Sequence, residues 1–237
     1  MQIKGRSALV TGAGRGIGRA VAVELARAGA RVTAVARTAG ELDALVAEIR
    51  SAGGEAQAFP ADLRAPSAGA AAVAAAVAAY GGLHVLVNNA GVGRSANLAD
   101  TSDEDWDDVL ATNLTAVFRI TRAALPQLSR EGGHVFMVSS LAGSNAIPGM
   151  SAYCASKAAL DHLARCLMLE VRQQGVKVTI IAPGSVDTGF GSRRPSDSGW
   201  MLKPVDIAQA ILDLLGARDE AHLSRVEMRP SRPQPRS

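Results

Sequence analysis

Short runs of apolar and β-branched residues alternate with alanine-rich amphipathic stretches along most of the chain. Seven runs predict strands, and in order they read SALVTG, RVTAVA, EAQAFP, LHVLVNN, HVFMVSS, KVTIIAP and HLSRVEMR. The stretches after the first six runs predict helices near residues 16–29, 40–52, 66–80, 103–129, 151–174 and 204–217. Strands and helices that alternate in this way favour a parallel sheet with helices on both faces. We therefore predict an α/β fold.

The length of the chain and the absence of a linker predict a single domain over residues 1–237. The stretch APSAGAAAVAAAVAAYGG resembles low complexity, but alanine is a strong helix former and the two final glycines supply a stop. We predict a helix packed on the sheet there. The glycine- and serine-rich segment at residues 184–203 has no periodicity. Because long loops of this kind are often lids, we place a substrate lid at about 189–203.

Composition argues against nucleic-acid, membrane and metal-site functions. The net charge is +3, with a basic tail at about residues 229–237, yet aromatic residues make up only 3%, too few for a base-stacking platform. The four histidines have no cysteine or carboxylate at metal-ligand spacing. No apolar run of about 18 residues and no secretory signal is found. We therefore expect a cytoplasmic protein without a metal site.

A glycine-rich turn joins the first predicted strand to the first predicted helix. In ALVTGAGRGIGRAVAVELARAG, the spacing Gly-x-x-x-Gly-x-Gly is met by Gly12, Gly16 and Gly18. The G-x-G-x-x-G pattern fails because Ile17 stands where a small residue is needed, and no Gly-Lys-Ser/Thr follows for a P-loop. Glycines let backbone N–H groups approach a pyrophosphate, whose charge the helix N-terminus favours. The turn predicts a dinucleotide site, with a plain tight turn as the alternative.

The end of the second predicted strand indicates which dinucleotide binds. An acidic residue there would hydrogen-bond the ribose hydroxyls of NAD, but the strand ends with Ala36, followed by Arg37. Arg37 can pair with a 2′-phosphate, and Arg15 in the glycine turn can close on the same phosphate. Either arginine alone is explained as a surface charge. Both together favour NADP(H).

Further motifs give the chain a resemblance to a known family. After TGAGRGIG at 11–18 come DL at 62–63, NNAG at 88–91, an asparagine at position 113, SS at 139–140, YCASK at 153–157 and PGSVDT at 183–188. In this order and spacing they resemble the NADP(H)-dependent type of the short-chain dehydrogenase/reductase family, from about residue 7 to about residue 215. The resemblance implies a Rossmann-type, doubly wound, seven-stranded and mostly parallel sheet. It also implies hydride transfer between NAD(P)(H) and an alcohol or carbonyl.

The resemblance implies roles for individual residues around the cofactor. Asp62 would contact the adenine, with Leu63 beside it. Asn89 and its neighbours would line the cleft, and Thr188 would bind the nicotinamide carboxamide. The residues expected to bind the cofactor are Gly12, Arg15, Gly16, Ile17, Gly18, Arg37, Asp62, Leu63, Asn89, Ala90, Gly91, Tyr153, Lys157, Pro183, Gly184, Val186 and Thr188.

Tyr153 and Lys157 form the predicted proton-transfer pair. Free tyrosine, with a pKa of about 10, is a poor proton shuttle at neutral pH. Lys157, at i+4 on the same helical face, can stabilise the phenolate and lower that pKa. Ser140 lies thirteen residues before Tyr153, the family's usual interval, so we favour it over Ser139 as the hydroxyl that holds the substrate oxygen. The resemblance implies that Lys157 also binds the nicotinamide ribose and that Asn113 positions a water for proton relay.

Loops after the fourth to sixth strands should contact a small carbonyl or alcohol substrate. Phe190, Trp200 and Met201 suit an apolar or aromatic ketone, whereas Arg193 and Arg194 are either solvated or face an anionic tail. Relatives in the family include 3-oxoacyl-[acyl-carrier-protein] reductases, which tend to end in DGG. This chain ends VEMRPSRPQPRS, and that ending is more similar to reductases of small hydroxy acids, pterins or assorted ketones.

Alternatives of other kinds stay open. A non-catalytic NADP(H) sensor or regulator is one, although such relatives usually lose the tyrosine or the lysine. Another is that the tyrosine, serine and asparagine of the motifs serve in packing and capping. A hydrolase built on Ser140 fails because no histidine is placed to act as its base. The resemblance also implies a homodimer or homotetramer formed through the helices near 103–129 and 151–174, and it leaves the role of the basic tail open.

Overall fold

A computed structural model describes residues 1–190 and 199–232, and it contains strands at all seven predicted places. The strands are β1 Ser7–Thr11, β2 Arg31–Ala36, β3 Glu55–Pro60, β4 Val85–Asn88, β5 His134–Val138, β6 Lys177–Pro183 and β7 Arg225–Met228. The α-helices are α1 Gly16–Arg27, α2 Ala39–Ser51, α3 Ala68–Tyr80, α4 Asp103–Leu110, α5 Ala116–Glu131, α6 Ser151–Val171 and α7 Pro204–Gly216. The predicted helix over 103–129 is divided into α4 and α5 by a π-helical turn at Ala111–Thr115.

One sheet contains all seven strands in the order β3-β2-β1-β4-β5-β6-β7, and every neighbouring pair is parallel. The prediction of a Rossmann-type sheet is confirmed, and the sheet is fully parallel where a mostly parallel one was predicted. The chain builds outward from β1 to β3 and then returns to place β4 on the other side of β1. Ligands of such sheets bind outside the carboxyl ends of the strands, at this reversal.

Helices cover both faces of the sheet. On one face α1, α2 and α7 pack over one apolar cluster, and on the other face α3, α5 and α6 pack over a second. All five side chains of β1 are buried, because the strand lies at the centre of the sheet between two helical layers. Among the described residues, no helix is long and apolar enough to cross a membrane.

The alanine-rich stretch forms α3 and packs closely against α5. A Cβ at Gly69 would lie 2.9 Å from the Cα of Ile120, so the two helix backbones approach more closely than a side chain would allow. Gly81, with φ +79°, follows the helix in a left-handed conformation, which favours glycine. The stretch is therefore a packed helix, as its alanine content predicted, and it lies over β1 and β2 beside α5.

Candidate active site

The candidate site lies along the carboxyl ends of β1, β4, β5 and β6. Because these strands are parallel, the segment that follows each one leaves from the same edge of the sheet. The glycine turn follows β1, Asn89 follows β4, Ser140 follows β5 and Gly184 follows β6. The topology therefore brings together motifs that are more than 170 residues apart in the sequence, between Gly12 and Gly184.

The glycine turn is pressed against the segment that follows β4. Gly12 and Gly16 have φ values of +65° and +56°, which L-residues with a side chain rarely adopt. A Cβ at Gly12 would lie 2.9 Å from the Cα of Ala90, and one at Gly18 would overlap the carbonyl oxygen of Gly12. The exposed backbone of the turn and the first N–H groups of α1 form a cradle that suits a pyrophosphate.

Thr11 and Asn89 hold this cradle in place. The Thr11 Oγ1 accepts hydrogen bonds from the backbone N–H groups of Asn89 and Ala90, at 2.9 and 3.0 Å, and donates to the Val87 carbonyl at 3.2 Å. The Asn89 side-chain Nδ2 donates to the Thr11 carbonyl at 2.9 Å. The sequence pattern did not assign this role to Thr11, although a polar residue at the end of a buried strand is a usable signal.

Charged side chains surround the adenosine end of the predicted cofactor site. Arg15 and Arg37 are exposed, and the Glu41 side chain lies against Gly14, where an added Cβ would be 3.2 Å from the Glu41 Cβ. Sequence reasoning missed Glu41, because α2 is otherwise an ordinary amphipathic helix. The two arginines thus share this edge with one carboxylate.

Asp62 is held by an arginine that the sequence did not identify. Its Oδ2 lies 2.5 Å from Nη2 of Arg64, and this hydrogen bond lowers the pKa of the Asp62 carboxyl to about 2, with a smaller effect from Arg37. Arg64 also reaches Asp108 on α4, at 2.7 Å. The Leu63 side chain is buried in the apolar cluster beneath α3, α5 and α6. Asp62 is therefore a fixed carboxylate at neutral pH.

Tyr153 and Lys157 lie together on the buried face of α6. The Lys157 Nζ is 5.7 Å from the centre of the Tyr153 ring, and only 9% of Tyr153 and 4% of Lys157 are exposed. The Lys157 Nζ donates a hydrogen bond of 2.9 Å to the Val138 carbonyl at the end of β5. This contact fixes the lysine between the helix and the sheet edge.

Burial dominates the protonation behaviour of both groups. It lowers the pKa of Lys157 to about 8, an effect that the negative charge of Asp161 partly offsets. Burial also raises the pKa of the Tyr153 hydroxyl, and a hydrogen bond with Ser140 acts in the opposite direction. The pKa of Tyr153 is thus raised, where the sequence led us to expect that Lys157 lowers it, and the phenol is neutral at physiological pH with the Lys157 ammonium beside its ring.

The structure distinguishes the two adjacent serines after β5. Ser140 is half-buried, interacts with Tyr153 and accepts a hydrogen bond of 3.1 Å from the backbone N–H of Ala142. Ser139 is buried, and its Oγ has no hydrogen-bond partner among the described residues. Ser140 is therefore the hydroxyl that lies beside the tyrosine.

Asn113 lies in the π-helical turn and is fully buried. Its Oδ1 accepts from the Val92 N–H at 2.8 Å, and its Nδ2 donates to the Val92 carbonyl at 2.9 Å and to Ser156 Oγ at 3.0 Å. The Ser156 hydroxyl in turn donates to the Tyr153 carbonyl at 2.7 Å. π-turns within helices occur often at functional sites. Here the turn lets one amide tie the segment after β4 to the helix that carries the tyrosine.

An apolar wall stands next to Tyr153. The ring of Phe190 lies 5.5 Å from the Tyr153 ring, tilted by 55°. A Cβ at Gly93 would be 2.8 Å from the Phe190 Cε1 and 3.7 Å from the Met150 Cε. Phe190 keeps 40% of its surface exposed, so the ring covers the tyrosine from the solvent side and leaves room at its own outer edge.

The segment after β6 runs across the glycine turn. A Cβ at Gly16 would lie 3.2 Å from the Thr188 Cγ2, and the Gly184 N–H donates to the Met228 carbonyl of β7 at 2.8 Å. Val186 pairs with Leu202 in a single β-bridge. These contacts put Pro183, Gly184, Val186 and Thr188 at the same edge as the glycine turn.

The predicted lid and tail are described only in part. Trp200 and Met201 are half-buried, whereas Arg193 and Arg194 lie outside the described residues, as do positions 233–237 of the basic tail. In residues 1–190 and 199–232, no group of three or more histidine, cysteine or acidic side chains is placed to hold a metal ion.

Comparison with known proteins agrees with this geometry. The family described as "short chain dehydrogenase" matches residues 6–199. The chain is 36% identical to the 2,5-dichloro-2,5-cyclohexadiene-1,4-diol dehydrogenase LinX of Sphingobium indicum, over 93% of this chain and 92% of LinX. It is 33% identical to the 3-oxoacyl-[acyl-carrier-protein] reductase FabG of Thermotoga maritima, over 93% and 94% of the two chains.

A solved structure shares both the fold and a substantial part of the sequence. The crystal structure of a metagenomic short-chain oxidoreductase in complex with NADP superimposes with a TM-score of 0.87 at 38% identity, over 98% of this chain and 100% of that one. The family match extends over most of the sequence. The two relatives are a dehydrogenase and a reductase, and each aligns with this chain over nearly its whole length. The chain belongs to the short-chain dehydrogenase family of oxidoreductases.

Proposed function

We propose that the protein is an NADPH-dependent oxidoreductase that interconverts a carbonyl group and a secondary alcohol, with Tyr153 as general acid and base. The observation that carries the proposal is the buried pair of Tyr153 and Lys157 beside Ser140, at the same sheet edge as the glycine cradle. Residues of three different elements meet there, and each has a chemical property that carbonyl reduction requires.

The cofactor site fits a dinucleotide phosphate. Gly12, Gly16 and Gly18 let the turn pack more tightly against Ala90, Thr188 and its own backbone than a Cβ would allow, and the N-terminus of α1 favours the pyrophosphate charge. Arg15 and Arg37 suit a 2′-phosphate, which agrees with the NADP complex of the metagenomic relative. Bound NADPH supplies the hydride that is added to the carbonyl carbon.

Tyr153 provides the proton that the substrate oxygen needs. As the carbon–oxygen double bond is reduced, the phenol O–H bond breaks and the proton moves to the substrate oxygen, leaving a phenolate. The charge of Lys157 stabilises this phenolate, because the ammonium lies beside the ring in a buried site of low dielectric. In the oxidation direction the phenolate accepts the proton again.

Ser140, Lys157 and Asn113 complete the proton-transfer site. The Ser140 hydroxyl holds the substrate oxygen within reach of Tyr153. Lys157 binds the nicotinamide ribose and exchanges protons with solvent through a water next to Asn113. Because both atoms of the Asn113 amide already bond Val92 and Ser156, that water has the remaining lone pair of Oδ1 as its side-chain partner.

Removal of the Tyr153 hydroxyl tests the reaction directly. Tyr153→Phe should lower kcat by at least about a hundredfold, while the Kd for NADPH, measured by fluorescence titration, changes by less than about threefold. Tyr80→Phe is the matched control, because Tyr80 lies at the end of α3, away from the site. Retention of most activity by Tyr153→Phe would rule out the tyrosine as the acid.

The arginines test the choice of cofactor. Wild-type protein should have a higher kcat/KM with NADPH than with NADH, and Arg37→Gln together with Arg15→Gln should reduce that preference at least tenfold. Glu41→Gln should leave the preference for NADPH unchanged or increase it, because this substitution removes a negative charge from the same edge. A clear preference of the wild type for NADH would contradict the assignment.

The wall formed by Phe190 and Met150 favours an apolar or aromatic ketone as substrate. A second candidate, 3-oxoacyl-[acyl-carrier-protein] reduction, is supported by the 33% identity to FabG of Thermotoga maritima. A panel of aromatic ketones, cyclic diols, β-ketoacyl thioesters and quinones, followed through NADPH absorbance, separates the two. Binding of NADPH without turnover of any compound would favour a non-catalytic sensor instead.

Quaternary structure and location stay predictions. We propose a homodimer or homotetramer that uses α4, α5 and α6, because large apolar side chains are exposed on these helices, among them Phe118 and Leu169. Light scattering that detects only monomer would contradict this. A cytoplasmic location is checked by fractionation of the source cells.

A further inference from the structure

A buried carboxylate lies one helical turn after the catalytic lysine. Asp161 follows Lys157 by four residues on α6, on the same face of the helix, and only 4% of it is exposed. One carboxylate oxygen, Oδ2, binds Nη1 of Arg225 at 2.6 Å. The other, Oδ1, has no hydrogen-bond partner among the described residues. Part of the negative charge is therefore left without a direct partner, close to the lysine.

Arg225 brings strand β7 into this arrangement. Its Nη2 donates to Ser144 Oγ at 3.0 Å and lies 3.2 Å from Glu227 Oε1. Ser144 closes the short turn that begins directly after Ser140. The guanidinium thus joins β7 to α6 and to the turn that directly follows the substrate-holding Ser140.

The carboxylate is in close contact with that turn. A Cβ at Gly143 would lie 2.7 Å from Asp161 Oδ2 and 3.1 Å from the Lys157 carbonyl oxygen. No side chain fits between the turn and the helix, and water has little room to screen the charge. The field of Asp161 accordingly reaches Lys157 through protein, and Asp161 raises the pKa of that lysine against the effect of burial.

We propose that Asp161 and Arg225 are a positioning pair that sets the pH range in which Tyr153 and Lys157 exchange protons. The inference rests on the proposed function, since it assigns a role to residues around the same site. Asp161 supplies the negative field, and Arg225 both holds the carboxylate in place and limits that field.

Other charged groups lie on the elements around this pair, and on α6 itself Arg165 lines the same small cavity as Arg225. On β7, Glu227 binds Arg225 and Arg229. The turn that covers Asp161, residues 141–144, carries no charged side chain. Helix α4 also packs on α6, and its Asp105 and Asp108 are paired with Arg94.

The signs of the expected effects follow from charge alone. Asp161→Asn removes a negative charge and leaves Arg225, so the pKa values of both Lys157 and Tyr153 should fall. Arg225→Gln removes the positive charge and leaves Asp161, so both should rise. Each shift should be about half a pH unit or more, because the groups interact in a site with an effective dielectric far below that of water. Arg225→Lys keeps the charge and should restore the wild-type value.

Carbon-13 NMR of labelled tyrosine measures this without substrate or cofactor. The chain has two tyrosines, so in a Tyr80→Phe background one resonance remains, that of Tyr153. Its position follows its own ionisation and that of Lys157, whose Nζ is 5.7 Å from the ring. The titration step nearest pH 8 should move down in Asp161→Asn and up in Arg225→Gln.

The two variants keep the proposal open to refutation. Shifts of the same sign, or unchanged titration with a lowered melting temperature, would overturn it and leave a structural ion pair. If Asp161→Asn does not fold, Arg225→Gln and its rescue by Arg225→Lys decide the matter. The two proposals can fail independently. If the titration step moves in opposite directions in the two variants but the wild type reduces no compound of the panel, the electrostatic role is supported and the proposed enzymatic function is refuted.

Discussion

Replacement of Lys157 by methionine should stabilise the protein while it abolishes activity. The lysine is 4% exposed, and burial lowers its pKa from 10.5 to about 8. Methionine keeps an unbranched apolar stem of similar length and has no charge to bury. We expect the variant to unfold with a higher free energy than the wild type at pH 7.

The size of the effect follows from two opposing contributions. A pKa lowered from 10.5 to about 8 corresponds to roughly 3 kcal/mol of lost stability at pH 7, at about 1.4 kcal/mol for each pKa unit. The variant also loses the hydrogen bond from Nζ to the Val138 carbonyl, which costs about 1 to 2 kcal/mol. The net gain should be about 1 to 2 kcal/mol.

The pH dependence distinguishes this explanation from better packing. The folded-state pKa of Lys157 lies below its unfolded-state value, so the unfolded wild type binds more protons between pH 8 and pH 10.5. The wild type therefore gains stability as the pH rises through that range. Above it, Lys157→Met should be less stable than the wild type by about 1 to 2 kcal/mol, because only the loss of the hydrogen bond remains.

Urea unfolding followed by circular dichroism at pH 7, 9 and 10.5 measures the difference. Lys4→Met, a substitution of an exposed lysine, is the control and should change stability little at any of these values. A Lys157→Met variant that is less stable than the wild type at pH 7 would refute the reasoning. So would a stability difference that stays constant with pH.

Two further predictions concern the glycine turn and the apolar wall. Gly18→Ala should weaken NADPH binding at least tenfold in a fluorescence titration, because the new Cβ would overlap the Gly12 carbonyl oxygen and the Asn89 amide. Gly40→Ala, at a helical position with nothing within 4 Å of the new Cβ, should bind normally and be as stable or up to about 1 kcal/mol more stable; equal binding by both variants would contradict the cradle. Phe190→Ala should raise KM for aromatic ketones more than for small aliphatic ones, as steady-state kinetics would detect. Gly93→Ala, whose Cβ would push on the Phe190 ring, should change the same ratio, and an unaltered ratio in both variants would remove Phe190 from the substrate wall.

The order of the elements could be predicted because each one is local. β1 and α1 are visible as an apolar run, a glycine turn and an amphipathic pattern, and the boundaries differ from the predicted ones by only a few residues. The π-helical turn around Asn113 was not predicted. A π-helical turn contains one residue more than an α-helical turn. Here it lets the Asn113 amide bond both Val92 and Ser156, and the sequence did not predict it because those partners come from other parts of the chain.

The sequence did not predict the roles of the residues that support the site. Thr11 lies within TGAGRGIG, but its hydrogen-bond partners Val87, Asn89 and Ala90 are more than 70 positions away. Arg64 and Arg225 lie in none of the motifs, and each also bonds a residue far along the chain, Asp108 and Asp161 respectively. Arg225, for example, binds Asp161 across 64 positions. A strand–helix pattern predicts where β7 lies but does not indicate that Arg225, its one arginine, binds a buried carboxylate.

The residues that hold the tyrosine–lysine pair are different from the residues of the apolar wall, and this separation explains how one fold of this kind can serve many substrates. Tyr153 and Lys157 are held by α6, by the Val138 carbonyl and by Asn113 through Ser156, all of them contacts among buried groups. Phe190 and Met150 reach the site from segments outside that network, and Phe190 is 40% exposed. Under the proposed function, substitutions in the apolar wall can therefore change which ketone fits without altering the geometry of proton transfer. By the same argument, exchange of Phe190 for a smaller or polar residue should broaden or shift substrate choice, while the pH profile of kcat, which the proposal assigns to the buried pair, should stay as it is in the wild type.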